Sequence, residues 1–231
     1  MQERGEIMTR KERSEAYLQA HQVKINPVLP ELGPEEKIKP AEEILRRAVA
    51  AMLSAQIAVD LAEDNDVHES AQFFKGLLER FGLQNDLTPD EQKLFALADP
   101  EQPSELTPQD GGQLSWRIEM CMPLFWACGL LKGDMPYPSQ PSEIGGLVRI
   151  LAAAEDFDVL RTLTVMRPGE EILDAADRIF RMDWACVDAL IHRTEITGGL
   201  NYDVVVEQHK GFNWMIGAYD AENWDSVKPH T

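Results

Sequence analysis

The octapeptide Glu207-Gln208-His209-Lys210-Gly211-Phe212-Asn213-Trp214 gathers the most chemically able side chains of the chain. His209 and Asn213 stand four apart, which puts them on one face of a helix. An imidazole there exchanges a proton near neutral pH. Further upstream, Glu119 sits at the mouth of a 12-residue uncharged apolar run, Met120 to Leu131. A carboxylate in such a place must be paired, hydrogen-bonded or protonated. Asp183 falls on an apolar stripe where Ile or Leu is expected, with Asp188 and Arg181 flanking it. Arg47, Arg178 and Arg181 are the cations able to meet these groups or to orient an anion. Glu119, Asp183, Asp188, Glu207 and His209 together read as an acid–base set. In a hydrolase, Glu119 or His209 is the base and an arginine stabilises the developing anion.

The same residues also make sense as structure. Buried ion pairs and hydrogen-bonded polar groups fix helix register without doing chemistry, and this is the preferred reading. It predicts that Glu119 contacts an arginine from another helix, Arg47 or Arg178. It also predicts that residues 204–227 pack back on the central helices, because Phe212, Trp214, Met215, Ile216 and Trp224 offer too much apolar area for a free tail. His209 and Asn213 are then expected at the edge of that docked surface, near Asp188 or Glu119. Metal chemistry finds no support. There is no HExxH, the five histidines are scattered, and Cys121, Cys128 and Cys186 have no CxxC spacing. No P-loop, GxSxG or GxGxxG is present, so no cofactor is expected.

The elements that position these residues are helical throughout. Thr9 and Glu12 form a capping box for a helix to about His21, after a flexible start at residues 1–8. Pro27, Pro30 and Pro34 imply an extended connection. Pro40, Glu42 and Glu43 open a second helix whose apolar positions run from Ile44 to Ala62. A third spans about Val67 to Arg80, and Thr88-Pro89-Asp90-Glu91 caps a short fourth. Residues 99–113, with three prolines and Gly111-Gly112, read as a surface loop and a possible internal boundary. A helix over Leu114 to Leu131 is apolar on nearly every face and hence central, with a kink at Pro123. Ser142 is expected to cap a helix to Ala154, an irregular stretch follows, and long helices cover Glu170–Arg193 and Val204–Ala218. On the first of these the apolar stripe includes Val187, Leu190 and Ile191. The expected fold is all-α: a compact multi-helix single domain over residues 9–231, with the C-terminal helix docked on the central apolar helix.

Three stretches resemble the bacterial family called domain of unknown function 4272. They are Glu42-Glu43-Ile44-Leu45-Arg46-Arg47-Ala48; Trp116-Arg117-x-Glu119 with Leu124-Phe125-Trp126-Ala127-Cys128-Gly129; and Arg178-x-x-Arg181-x-x-Trp184-Ala185-x-x-Asp188 with the octapeptide above and Trp224-Asp225-Ser226-Val227. The family pattern places Arg where Gln208 stands and Asp where Ser226 stands. The resemblance implies a helical domain and supplies no activity, substrate or cofactor.

Charge narrows the function classes further. The 22 basic and 40 acidic residues leave a formal net charge of -18. Residues 60–110 alone hold 13 acidic and 3 basic side chains. Such a chain repels phosphate and anionic lipid, which argues against nucleic acid and membrane partners. The charged start, Met1 to Arg13, lacks the apolar core of a signal peptide, and the cysteines are not a disulfide framework. The expectation is a cytoplasmic, non-enzymatic protein that binds another protein or acts as an accessory factor. The alternative is an enzyme using the carboxylate, histidine and arginine set.

Overall fold

The computed structural model describes residues 8–33, 38–101, 104–218 and 221–230. The expectation of a flexible start at residues 1–7, and those involving Pro34 and Pro103, lie outside them. Among the described residues there are ten α-helices and no strand. They are α1 (Arg10–Ala20), α2 (Ala41–Ala62), α3 (Val67–Arg80), α4 (Pro89–Ala96), α5 (Pro108–Ser115), α6 (Arg117–Ala127), α7 (Gly145–Ala153), α8 (Phe157–Leu163), α9 (Gly169–His192) and α10 (Tyr202–Ile216).

Local chemistry sets many of the boundaries. Capping boxes close the starts of α1, α4 and α5, each with Thr at the cap and an acidic residue three positions on. Asp66 caps α3 and Asn201 caps α10. Gly217 ends α10 in the left-handed region at φ 62°, where glycine meets no Cβ penalty.

At the centre lie α2, α6 and α10. Helix α2 is buried on almost all sides between Ile44 and Ala58. Helix α6 is buried at ten of its eleven residues and continues through Pro123. Helix α10 lies on α6, and Gly211 makes the approach possible: a Cβ there would sit 2.2 Å from the Met120 carbonyl oxygen. Trp126 of α6 meets Phe212 of α10 edge-on at 6.3 Å. The short turn Trp224–Ser226 then folds under Trp214, ring centroids 5.3 Å apart. The C-terminal segment is thus docked on the central helices, as its apolar content requires.

Five expectations need correction. Residues 108–115 are not loop but helix α5, packed against α2. Gly111 there is a close-approach residue, since a Cβ would lie 2.8 Å from the Ala58 carbonyl and the Ala62 amide. The helix expected over Leu114–Leu131 is two helices, broken at Trp116 and ending at Ala127. Ser142 does not cap α7, which begins at Gly145 after Ile144; its hydroxyl is used elsewhere. The stretch before Pro168 contains α8, capped by Asp156. On α9 the apolar stripe stops early: Leu190 and Ile191 are 50% and 71% exposed.

Candidate functional site

Helices α6, α9 and α10 bring part of the predicted set together and leave the rest apart. Glu119, on the first turn of α6, is 2% exposed. Its Oε1 accepts the Ser142 backbone N–H at 2.6 Å. Its Oε2 accepts the Ser142 hydroxyl at 2.8 Å and the Gln208 amide at 3.1 Å. The expected arginine partner is therefore wrong. The carboxylate is satisfied by three neutral donors, two of them from a loop that the sequence pattern assigned to a helix cap. Neither Arg47 nor Arg178 reaches Glu119; the partner from α10 is the Gln208 amide.

One residue on, His209 is completely buried and its Nδ1 meets Asp183 Oδ2 of α9 at 2.7 Å. Phe180 covers the ring at 5.9 Å between centroids. His209 and Asn213 are thus interior groups and not an edge. The nearest acid is Asp183, not Asp188 or Glu119, because α10 lies in the groove between α6 and α9. His209 Nε2 and Asp183 Oδ1 meet no hydrogen-bond partner among the described residues. Asn213 donates to the Lys228 carbonyl at 3.2 Å and so ties down the chain beyond Trp224.

The remaining predicted residues serve other places. Arg47 of α2 binds both carboxylate oxygens of Glu91 on α4, donates to the Asp86 carbonyl at 2.8 Å, and lies under Trp224 at 5.3 Å. Glu91 is fully buried and also closes the α4 capping box through the Thr88 N–H at 2.9 Å. Arg117 reaches Asp90 and Asp225 at 3.0 Å each, joining α6, α4 and the C-terminal turn. Burial would push the Asp90 carboxyl up, but the bond from Lys93 and the charge of Arg117 outweigh it and hold the pKa below the usual value. Arg181 pairs with Asp177 on its own helix at 2.7 Å and holds the Pro30 carbonyl at 2.9 Å. Asp188 pairs with the half-exposed Lys24, and Glu207 with Lys210. Trp214 packs under Lys39 at 5.0 Å. Arg178 stacks on Tyr17, with the guanidinium 4.7 Å from the ring centroid.

Sequence reasoning missed Glu91, Ser142, Tyr17 and Asp225 as members of these clusters. Glu91 was visible as a capping residue, but its second role depends on α2 crossing α4. Ser142 reads in the sequence as a helix cap, and nothing there marks it as a partner of Glu119 or marks Tyr17. The three cysteines are buried and free. Burial raises their thiols, Cys128 and Cys186 to about 12. Among the described residues, no three His, Cys, Asp or Glu side chains are grouped to hold a metal ion. No described helix is long and apolar enough to cross a membrane.

The carboxylates of the predicted acid–base set therefore do not converge on one cleft. Two of them bond helices to one another, Glu119 joining α6 to α10 and Asp183 joining α9 to α10, while Asp188 and Glu207 pair with Lys24 and Lys210; outside the set, Glu91 joins α4 to α2.

The family model described as domain of unknown function DUF4272 matches residues 10–227, nearly the whole chain, and the chain belongs to that family. No curated protein and no solved structure matches it.

Proposed function

We propose that this member of the DUF4272 family is a non-enzymatic, cytoplasmic accessory protein that binds a basic protein partner through one acidic end of the molecule. The observation that carries the reading is a group of seven acids, drawn from two stretches without a single Lys or Arg, at one end of α2. Glu63, Asp64, Asp66 and Glu69 follow the end of α2. Glu101, Glu105 and Asp110 lead into α5, whose Gly111 rests on that same end of α2. None of these seven makes an ion pair within 4 Å among the described residues, and no Lys or Arg occurs in 60–70 or 99–110. Elsewhere on the molecule, acids such as Asp86, Asp90, Asp174, Asp177 and Asp225 are matched to arginines.

Clustered like charge destabilises a compact fold by self-repulsion. Solubility needs net charge, and that is achieved as well by dispersed acids. The negative pole of the α2 dipole lies at this end, and the positive poles at the starts of α3 and α5 are met by Asp66, Glu69 and Asp110. An apolar anchor lies in line with the acids. Asp66, Glu69 and Phe73 fall at helical spacing on the outer face of α3, and Phe73 is 55% exposed. A partner presenting Lys or Arg beside an apolar side chain complements this surface.

The test is affinity capture from the source cell's lysate with the parent and with Glu63→Gln, Asp64→Asn, Glu69→Gln, Glu101→Gln and Glu105→Gln combined. One stoichiometric basic partner, released by salt and lost with the five-fold variant, is expected. A partner held equally by both proteins, or none at low salt, sinks the proposal.

A further inference from the structure

Arg178 departs from the other buried or half-buried arginines of this acidic chain. Arg10, Arg47, Arg117 and Arg181 each bind at least one carboxylate. Arg178 makes no hydrogen bond and no ion pair among the described residues. The contact the structure gives it is with an aromatic ring. The guanidinium lies over Tyr17, Tyr17 stacks on His21 at 4.2 Å, and His21 stacks on Tyr137 at 4.7 Å. The column is pinned at its far end by the Tyr137 hydroxyl, which donates to the Gly198 carbonyl at 2.7 Å. With no hydrogen bond among the described residues, the N–H groups of Arg178 are available for a planar anion.

Arg178 borders a cavity also lined by Met135, Met182, Gln208 and Phe212. It measures about 20 Å³, one water-sized group, within about 300 Å³ of free space that opens to solvent. Arg178 is the one charged residue of the lining. The acids nearest to it on α9 are already engaged, Asp174 by Arg13 and Asp177 by Arg181. Gln208, 1% exposed, supplies the second polar group. Its amide nitrogen must face the Glu119 carboxylate, which accepts and does not donate. That fixes the oxygen on the other side, where it meets no partner.

We propose that this cavity binds a small carboxylic acid bearing a hydroxyl, its carboxylate on Arg178, its hydroxyl donating to Gln208 Oε1, and its apolar carbon against Met182 and Phe212. The closed space takes one group, the hydroxyl, and the rest of a ligand of a few heavy atoms lies in the space that opens to solvent. The charge requires an anion, and the orphaned acceptor requires a donor on it.

Lactate is the probe, followed by the methyl resonances of methionine in the full chain. Met135 and Met182 should shift saturably, and methionines outside the lining, such as Met52, should not. Lactamide, which lacks the charge, and Arg178→Gln should each weaken binding about tenfold or more, since a charge-assisted pair is lost. Propionate, which lacks the hydroxyl, should bind a few-fold more weakly than lactate. Arg178 holds no bond that folding needs, so the variant should melt with the parent. The lactamide comparison reads the same contact without any variant. Absence of a saturable shift, equal binding of lactamide, equal binding of propionate, or full retention by Arg178→Gln overturns the proposal.

Discussion

Replacing Glu119 with Gln removes one oxygen acceptor from a buried place where three donors point at a carboxylate. The new amide group faces the Ser142 N–H and hydroxyl with a donor of its own or turns it on Gln208. Hydrogen bonds to a charged group contribute about 1.5–3 kcal/mol each, so Glu119→Gln should cost about 2–3 kcal/mol in denaturant unfolding. Asp188→Asn is the control. Its partner Lys24 is 53% exposed, and an exposed pair contributes about 0–1 kcal/mol. Equal effects from the two substitutions would contradict the burial argument. The need for Glu119 to be satisfied was legible in the sequence from its place beside an apolar run. The identity of its partners was not, because Ser142 arrives from a loop 23 residues away and no periodicity points to it. His209 shows the same limit. Its helix face was readable, but whether that face met solvent or α9 depended on how three helices cross.

At the scale of elements, two glycines make opposite predictions. Gly211 lets α10 rest on the α6 backbone, and a Cβ there would overlap the Met120 carbonyl at 2.2 Å. Gly211→Ala must push the helices apart and should cost about 1–3 kcal/mol or more. Gly76 lies inside α3, exposed, with nothing within 4 Å of an added Cβ. Gly76→Ala should therefore stabilise by about 0.5–1 kcal/mol, from helix propensity alone. Thermal unfolding of the two variants reads both signs, and a neutral Gly211→Ala would mean α10 is not seated as described. Helix ends with capping boxes were readable residue by residue, since the cap is a local bond. Helix α5 was not. Its Gly111-Gly112 pair looks like punctuation until α2 is seen to pass within contact of Gly111. Leu190 and Ile191 misled in the other direction. They continue the apolar spacing of α9, yet among the described residues nothing covers their side chains, which are 50% and 71% exposed.

Over the whole molecule, charge divides into two uses. Asp86, Asp90, Asp174 and Asp225 are paired with arginines, and the core acids Glu119 and Asp183 with neutral donors and His209, and these contacts tie the elements together. The acids at the end formed by α2, α3 and the start of α5 are left facing solvent, beside Phe73. The fold class and the docked C-terminal helix followed from composition and apolar spacing. This division did not, because residues 60–69 and 99–110 meet only through the packing of α5 on α2. If the unpaired acids serve a partner and not the fold, neutralising them must not harm folding. The deciding measurement is the melting temperature, at low ionic strength, of the five-fold variant Glu63→Gln, Asp64→Asn, Glu69→Gln, Glu101→Gln and Glu105→Gln. Asp66 and Asp110 are kept because they cap α3 and α5. Relief of repulsion predicts a melting temperature equal to the parent's or higher. A clear fall would show that these acids hold the structure together, and the acidic end would lose its claim to be a binding face.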